Sequence, residues 1–403
     1  MTANTSGKQG DDTGPLARTP EEWRAWAENL GERPYRGMQI FKWLHDRKQL
    51  DPQGMTDLPK HIRSLLAPAV DSCLPVVQDI HQAADGTRKL VLRAHDGAII
   101  ESVLLPMNAE VHREEEATED DAEEDVEQDT PGPSDRVTQC VSTQVGCAMR
   151  CAFCASGAQG LRRHLSPDEI VAQVLLGNTL LLPNQRLTNV TLMGMGELLH
   201  NYDATVRAVR VMQRCEGLGL SSRRITISTV GLVPEIHRLS EDFQGRIGLA
   251  VSLHAADDPV RTRIVPTNKR YPLGALMSAL RQYPLPPRRR LTIECALIEG
   301  VNDSDRMARA LVTLLRGLRV KVNLIPMNPV PHSRFLPSSA ERVVAFQQIL
   351  TRAGVSCFIR KRRGDDVSAA CGQLAGNLAR NGHAVTRAAV DPGSPWAKED
   401  DDA

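Results

Sequence analysis

The chain has 403 residues, of which 41% are hydrophobic and 24% are charged. This length and composition are typical of a soluble protein with one large α/β domain and a small accessory domain. No stretch approaches the roughly 18 consecutive apolar residues that a membrane span needs, so we expect neither a membrane anchor nor a secretory signal. Nine cysteines, an odd number, indicate a cytoplasmic protein that uses thiols for metal binding or catalysis, and they argue against a disulfide scaffold.

The net charge of zero conceals two acidic segments. Residues 113–129 contain 11 acidic side chains and one arginine, and residues 398–402 contain four acidic side chains and one lysine. The other residues include 34 acidic and 47 basic side chains, which is a net charge of about +13. A basic folded part favours a polyanionic partner such as nucleic acid, and a basic surface without a specific partner is the alternative.

The first predicted folded unit is helical. We expect a disordered tail over residues 1–18 and a helical accessory domain over residues 19–72. The first helix begins at Thr19-Pro20-Glu21-Glu22, which combines an N-cap residue, a proline in the first turn and a capping-box glutamate. Two more helical segments follow before residue 72, with arginine and lysine on their polar faces.

A β-rich connector and an acidic insertion come next. Within the connector, residues 73–112, the stretch 88–106 alternates and is β-rich around Asp96-Gly97, which predicts a β-hairpin. Residues 113–133 are dominated by like charges and have few apolar side chains, so we expect them to be disordered. A second disordered tail is expected over residues 381–403.

Residues 134–380 alternate between strand-like and helix-like segments. Six such units predict an α/β fold, a partial (β/α)6 barrel similar to a TIM barrel, with a doubly wound open sheet as the main alternative. The six strands are expected at VTQCVST, LTNVTLMGM, RRITISTVG, RIGLAVSLHA, RRLTIECALI and VKVNLIPMN. Several strands end in small polar segments (GMGE, STVG, SLH and MNP), and the barrel mouth that they form is the expected place of function.

Cys147, Cys151 and Cys154 form a C-x3-C-x2-C cluster soon after the first of these strands. Cysteine thiolates select zinc or iron–sulfur clusters. Structural zinc needs four ligands, usually as two C-x2-C pairs, and the sequence has no second pair. Three closely spaced thiolates suit a four-iron cluster in which the protein binds three irons and the fourth is open. Zinc and unligated core cysteines stay as alternatives.

This cluster resembles that of the radical S-adenosylmethionine (SAM) superfamily. Further segments extend the resemblance to the RlmN/Cfr family of RNA adenine methyltransferases: CVSTQVGCAMRCAFCASG, LMGMGE, ISTVGL, VSLHA, NLIPMNP and RGDDVSAACGQLAG. The resemblance covers the chain from the helical module to about residue 378. It implies a [4Fe-4S] cluster on the three cysteines, SAM as the second cofactor, and a helical N-terminal domain that binds RNA.

The resemblance also implies which residues bind SAM. They lie at the polar strand ends: Gly196, Glu197, Ser228, Ser252, Leu253, His254 and Asn328. A glycine lets the ligand approach the backbone, Glu197 can accept from the ammonium group, and serine or asparagine can bind carboxylate and ribose. The alternative is that these residues only cap the barrel. Leu198 departs from the family pattern, which usually has proline after GMGE.

Three further residues carry chemistry if the resemblance holds. Cys371 is implied as the residue that carries the methyl group, Glu101 as a proton acceptor, and Cys140 as a thiol that forms a transient disulfide with Cys371. The residues alone leave other readings open: a small buried Cys371, an exposed strand glutamate and an ordinary cysteine. The other four cysteines lie in apolar patterns and are predicted to be in the core: Cys73, Cys215, Cys295 and Cys357.

The implied activity is methylation of C2 of an adenine in 23S rRNA, through a methylated cysteine and with two SAM molecules per turnover. An adenine next to the anticodon of tRNA is a second implied substrate. Methylation at adenine C8 is one alternative, and a zinc-stabilised RNA-binding protein without catalysis is another. We expect a cytoplasmic monomer that takes electrons from a donor such as flavodoxin.

Three basic segments are candidates for phosphate contacts. They are residues 161–164, residues 286–290 and residues 360–366. Aromatic residues make up only 3% of the chain, which argues against stacking on many bases and favours one flipped adenine in a deep pocket. Solvated arginine-rich faces are the alternative for each segment.

Overall fold

The computed structural model describes residues 13–107, 136–330 and 333–374. The predicted disordered segments at 113–133 and 381–403 lie outside these ranges, as do residues 1–12 of the predicted N-terminal tail. Among the described helices, none is long and apolar enough to cross a membrane.

Three helices form the N-terminal unit: α1 (Pro20–Asn29), α2 (Tyr35–His45) and α3 (Lys60–Asp71). The predicted capping box is confirmed, because the Thr19 and Glu22 side chains each accept from the other residue's backbone N–H. Residues 13–18 also have defined contacts, since the backbone N–H groups of Leu16 and Ala17 donate to Asp168 of the large domain. The folded part therefore begins before Thr19.

Three antiparallel strands connect this unit to the large domain: β1 (Val76–Gln82), β2 (Arg88–Arg93) and β3 (Ile99–Pro106). The predicted hairpin corresponds to β2 and β3. Its turn is confirmed: Gly97 has a positive φ of 78° and the Asp96 carboxylate accepts from Ala98 N at 3.0 Å. The first strand, β1, was not predicted.

The large domain is built on a ten-stranded sheet of order β1-β2-β3-β4-β7-β8-β9-β10-β11-β12. From β4 onwards every neighbouring pair is parallel, and in the described residues β1 and β12 are edges, so the barrel is partial and open. Seven parallel strands are present where six were predicted, because β12 adds one. Their bounds are β4 (Arg136–Cys140), β7 (Arg186–Leu192), β8 (Ile225–Thr229), β9 (Gly248–Ser252), β10 (Leu291–Leu297), β11 (Val320–Pro326) and β12 (Ser356–Ile359).

Helices fill the crossovers between the parallel strands. A small antiparallel pair, β5 (Gln144–Gly146) and β6 (Leu161–His164), lies between β4 and β7. The helices are α4 (Ala155–Gln159), α5 (Pro167–Thr179), α6 (Tyr202–Met212), α7 (Val233–Phe243), α8 (Asp258–Ile264), α9 (Leu273–Gln282), α10 (Asp305–Leu315) and α11 (Ala340–Arg352). The sequence Ser166-Pro167-Asp168-Glu169 predicts a second capping box, and in the structure this capping box begins α5. Because parallel strands end on one side of the sheet, the polar strand ends come together there.

Candidate active site

The three motif cysteines lie on the loop between β5 and α4. Cys147 and Cys151 are each 9% exposed and Cys154 is half-buried. Burial raises the pKa of the Cys147 thiol to about 12, and burial together with the neighbouring Cys154 and Cys147 raises that of Cys151 well above its ordinary value. These thiols therefore need a positively charged metal centre to become thiolates, which is how thiolate ligands are normally deprotonated.

The donor set of this loop fits a four-iron cluster. Within the described residues, no three His, Cys, Asp or Glu side chains converge on a position for a single ion. A cubane does not require such convergence, because each thiolate binds a different iron. Three soft sulfurs on one short loop, two of them on buried residues, therefore suit the cluster.

Contacts from α8 and the segment after it hold the cluster loop in place. Ala152 N donates to Ile264 O at 2.9 Å, and the Thr267 hydroxyl donates to the Met149 sulfur at 3.1 Å. A Cβ on Gly157 would lie 2.9 Å from the Cys151 backbone, so the first turn of α4 packs directly on the loop. The loop is thus fixed from both sides.

Glu197 is buried in the segment that follows β7, at the start of a short 3-10 helix. Its Oε1 accepts from Leu199 N of that helix at 3.1 Å and its Oε2 accepts from Val230 N after β8 at 2.9 Å, so the carboxylate connects the segments that follow the two strands. Burial raises its pKa to about 7. Gly196 has a φ of +108°, and a Cβ there would lie 2.6 Å from the Gln144 Cβ. The positive φ and the packing of Gln144 both require glycine at this position, and the approach of a ligand to its backbone stays a prediction.

The serines of the next two strands approach each other. The Ser228 and Ser252 hydroxyls, on β8 and β9, are 3.5 Å apart. The backbone N–H groups of Leu253 and His254 both point to the Glu294 carbonyl of β10, at 3.0 and 3.2 Å. These two contacts hold the end of β9 against β10.

His254 connects this strand end to the cluster loop. Its Nδ1 accepts from Ala296 N at 3.0 Å, and its ring meets the edge of Phe153 with centroids 4.7 Å apart. Phe153 lies inside the C-x2-C pair. Burial lowers the pKa of His254 to about 3, so the ring is neutral, as its acceptor role requires.

Arg261 of α8 is a buried cation beneath these strand ends. It donates to the carbonyls of Leu253 (3.0 Å), Val230 (2.5 Å) and Ser252 (3.4 Å), and to the Asn268 side chain (2.8 Å). Burial lowers its pKa to about 10, which still leaves it charged at neutral pH. One guanidinium thus ties the ends of β8 and β9 together.

A cavity of about 250 Å³ contains two of the predicted catalytic cysteines. Its lining includes Cys140, Cys371, Glu294, Asn323, Asn328 and Arg360. The Asn328 amide donates to the Cys371 carbonyl at 3.0 Å, and Ala155 N, next to Cys154, donates to the Gly372 carbonyl at 2.8 Å. The Cys371 loop therefore lies against the cluster loop. Burial, and secondly the nearby Cys371, raises the pKa of Cys140 to about 12.

Glu101 lies on β3 and is only 3% exposed, so it is not the exposed strand glutamate that was the alternative. Its carboxylate is 3.4 Å from the ammonium group of Lys89. It lies on the same face of β3 as Val103 and Leu105, which line the cavity, and it precedes them by two and four residues. The structure thus brings Cys140 and Cys371 to one cavity and places Glu101 beside it.

The prediction of four core cysteines is wrong for Cys215, which is exposed. Cys295 and Cys357 are buried, and Cys73 is half-buried and packs against the core. Cys215 follows α6, where the chain leaves the helix and the apolar period no longer applies. It lies outside the cavity lining and serves below as a control position.

The basic segments make many contacts within the protein. Arg163 of β6 binds both Asp96 and Glu169, so this arginine is engaged by carboxylates and the prediction of a phosphate contact does not suit it. Arg362 donates to the Met327 carbonyl at 3.1 Å. The segment 360–363 lines the cavity, whereas Arg288 is exposed.

Sequence reasoning missed two buried charged residues of this region, Glu294 and Arg261. Neither belongs to a motif used in the sequence analysis. The only signal for Glu294 is an acidic residue in the middle of the apolar strand LTIECAL, and Arg261 has no comparable signal.

Comparison with known proteins agrees with this geometry. The Radical SAM superfamily profile matches residues 141–311, and the profile of the ribosomal RNA large subunit methyltransferase N-terminal domain matches residues 16–70. A dual-specificity RNA methyltransferase RlmN from Sorangium cellulosum (strain So ce56) is 55% identical over 368 residues, which is 89% of this chain and 95% of that protein. The RlmN of Syntrophobacter fumaroxidans (strain DSM 10017 / MPOB) is 42% identical over 356 residues, with coverages of 88% and 96%.

A solved structure supports the same assignment. A radical SAM methyltransferase from Sphaerobacter thermophilus superimposes with a TM-score of 0.78 at 42% identity, covering 90% of this chain and 99% of that one. The fold and the activity inferred from the motifs are thereby confirmed, and the cofactors are the [4Fe-4S] cluster and SAM that this family uses. The chain belongs to the RlmN family of radical SAM RNA methyltransferases.

Proposed function

We propose that this enzyme methylates C2 of an adenine in 23S rRNA, with the adenine next to the tRNA anticodon as a second substrate and two SAM molecules per turnover. The words "dual-specificity" in the names of both curated relatives support two classes of RNA. The observation that carries the proposal is the position of Cys140 and Cys371 in one cavity beside the cluster loop.

Two groups of residues are assigned to the two cofactors. The cluster would be held by Cys147, Cys151 and Cys154. SAM would be held by the seven strand-end residues named above: Gly196, Glu197, Ser228, Ser252, Leu253, His254 and Asn328. When bound, the reduced cluster and SAM supply a one-electron cleavage of the sulfonium, which yields a carbon radical able to take a hydrogen from a methyl group. Such chemistry suits adenine C2, because that carbon is electron-poor and cannot attack the SAM methyl group as a nucleophile.

Cys371 would be the methyl carrier. Its side chain is exposed, so a first SAM molecule can transfer its methyl group to the thiolate, which leaves S-adenosylhomocysteine and a cysteine thioether. The hydrogen bond from Asn328 to the Cys371 carbonyl holds the loop over the cavity. After loss of one hydrogen atom, the carbon on this sulfur would add to adenine C2, and the adduct would then give up the C2 proton and one electron, for which the oxidised cluster would be the acceptor.

Glu101 and Cys140 would complete the reaction. Glu101, whose carboxylate lies 3.4 Å from the ammonium group of Lys89, takes the proton from C2. Cys140 then attacks the Cys371 sulfur: the S–S bond forms as the S–C bond breaks, and the carbon leaves with the electron pair and gains a proton as the new methyl group. A cellular dithiol would reduce the disulfide. We place this monomeric enzyme in the cytoplasm, with a donor such as flavodoxin supplying electrons.

The Cys140→Ala variant tests the proposal. It keeps Cys371 but lacks the thiol that releases the product, so we expect RNA joined covalently to the protein through Cys371. Denaturing gel electrophoresis and mass spectrometry of the RNase-treated protein detect this adduct. The matched control is Cys215→Ala, which removes an exposed cysteine outside the cavity lining and should release methylated RNA.

Nuclease digestion of the RNA released by the control enzyme maps the methyl position. 2-Methyladenosine is expected, and 8-methyladenosine would replace the proposal with the C8 alternative. Free, fully methylated RNA from Cys140→Ala would exclude Cys140 as the releasing thiol.

A further inference from the structure

One acidic side chain in the cavity has no role in the proposed reaction. Glu294 lies in the middle of β10, is 4% exposed, and is in register with Ser252 of β9 and Asn323 of β11. Its Oε1 accepts from Asn323 Nδ2 at 3.0 Å and lies 3.8 Å from Arg360 Nη1. Its Oε2 is buried and has no hydrogen-bond partner in the part of the chain that the structure describes.

A second buried acceptor in the same cavity, an oxygen of Asn328, also lacks a hydrogen-bond donor among the described residues. Asn328 is 5% exposed, and its Nδ2 donates to the Cys371 carbonyl, which directs Oδ1 elsewhere. Oδ1 is buried and has no partner among the described residues. A buried acceptor without a donor destabilises the fold, and a charged one does so more strongly. Two of them on one cavity indicate a ligand that brings N–H or O–H donors.

We propose that Glu294 accepts a hydrogen bond from the exocyclic amino group of the adenine that is methylated. This inference rests on the proposed function, in which the target base lies between Cys140 and Cys371. Both cysteines line the cavity with Glu294. Of the seven residues assigned to SAM, Asn328 alone lines this cavity. The amino group of SAM is therefore a weaker candidate than the adenine amino group for the donor that Glu294 binds.

The chemistry of the carboxylate gives the site its selectivity. An ionised glutamate has acceptors only, and the adenine amino group is a donor at the edge by which enzymes read an extruded base. Guanine and hypoxanthine present a carbonyl oxygen at the same position, which the carboxylate repels. Glu294 would therefore determine that adenine is the base accepted.

The wild-type enzyme provides the first test. RNA is prepared with adenine, hypoxanthine or unsubstituted purine at the position that the wild-type enzyme is first shown to methylate. We expect kcat/KM to fall roughly tenfold to a hundredfold for both bases that lack the amino group, which is the usual range for loss of a specific base contact. This test does not depend on the folding of any variant.

The Glu294→Gln variant provides the second test. Asn323 Nδ2 donates to Oε1, so the glutamine oxygen should take that position and the NH₂ group should face the base. A donor there complements the hypoxanthine carbonyl, so the preference for adenine over hypoxanthine should shrink at least about tenfold or invert. The matched control is Glu299→Gln, the same change at an exposed residue after β10, which should keep the wild-type preference.

A third measurement separates the target base from SAM. Methylation of Cys371 by SAM in the absence of RNA, followed by mass spectrometry, should be the same in Glu294→Gln and wild type. Loss of this methylation would instead place Glu294 at SAM and overturn the inference, as would equal kcat/KM for the three RNAs or an unchanged preference in Glu294→Gln. A wild-type enzyme that methylates no adenine in RNA would refute the proposed function, and this inference with it.

Discussion

Arg261 shows how a single buried side chain can organise the polar strand ends. Its guanidinium donates to three main-chain carbonyls, those of Val230, Ser252 and Leu253. These carbonyls belong to the two segments, STVG and SLH, that are assigned to SAM. The residue does not line the cavity, so we regard it as a positioning residue.

Replacing Arg261 by methionine should affect both stability and SAM binding. Methionine fills similar space but leaves the buried carbonyls without donors, so we expect the free energy of unfolding to fall by roughly 3–5 kcal/mol. SAM affinity should fall by at least about tenfold, as is usual when a supporting residue of a site is lost. Denaturant unfolding and equilibrium dialysis measure the two effects, and Arg263→Met, an exposed arginine of the same helix, is the control. Wild-type affinity in Arg261→Met would show that the strand ends hold their positions without it.

The residues of the site differ in how far sequence could predict them. The cysteines and strand-end residues lie in motifs, and the fold brings these segments together. Glu294 could not be predicted, because its significance comes from an unpaired oxygen that only the packing of β9, β10 and β11 reveals. Gly196 was identified, but the reason for the glycine, the packing of Gln144, is visible only in three dimensions.

At the level of secondary structure, α2 contains a histidine in an apolar environment. His45 is fully buried, its ring stacks on Phe41 with centroids 4.3 Å apart, and neither ring nitrogen has a partner among the described residues. Burial lowers its pKa to about 3. Because α2 packs its other apolar side chains in the same core, the protonation of this one residue is coupled to the folding of the helical unit.

This coupling predicts a loss of stability in mild acid. The pKa of histidine in the unfolded chain is about 6.5, so below that pH the unfolded state binds a proton that the folded state excludes. The free energy of unfolding should fall by up to about 1.4 kcal/mol per pH unit, from about pH 6.5 down to the folded pKa of about 3. Urea unfolding measures this change: between pH 7.5 and pH 5.5, the free energy of unfolding should fall by about 1.4 kcal/mol more for wild type than for His45→Leu. His237→Leu, at an exposed histidine, should retain the wild-type loss; an equal loss in all three proteins would contradict the assignment.

The elements were predicted well where local signals are strong. Capping boxes and amphipathic periods located α1 and α5, and apolar strands before polar ends located six parallel strands. β12 was missed because it is four residues long, and β1 because its alternating pattern is largely polar and exposed. Helix α8 was missed because its seven residues are too few to show a helical period in the sequence. In each case tertiary contacts, and not local propensity, define the element.

For the whole molecule, the distribution of charge is the main feature. The segment 114–129 contains 11 of the 49 acidic residues, and the remaining chain has an excess of basic side chains. Acidic groups joined to a basic RNA-binding protein compete with phosphates for the same cations. The acidic segment should therefore weaken RNA binding most at low salt.

Deleting residues 114–129 tests this effect. We expect tighter RNA binding at low ionic strength, with the difference from wild type disappearing as salt screens the charges. The iron content and the absorption of the anaerobically reconstituted cluster should not change. A matched variant, in which the 11 acidic residues are replaced by their amides, separates the effect of charge from the effect of segment length. If RNA binding by both variants had the same salt dependence as that of wild type, the predicted effect of the acidic segment would be refuted.

The Cys371→Ala variant tests whether the methyl group passes through Cys371 on its way to RNA. Reconstituted enzyme is incubated anaerobically with SAM, a reductant and RNA, and both protein and digested RNA are analysed by mass spectrometry. We predict that the variant assembles its cluster but shows neither a methylated cysteine nor 2-methyladenosine, whereas wild type shows both. 2-Methyladenosine from the variant at the wild-type level would show that Cys371 does not carry the methyl group.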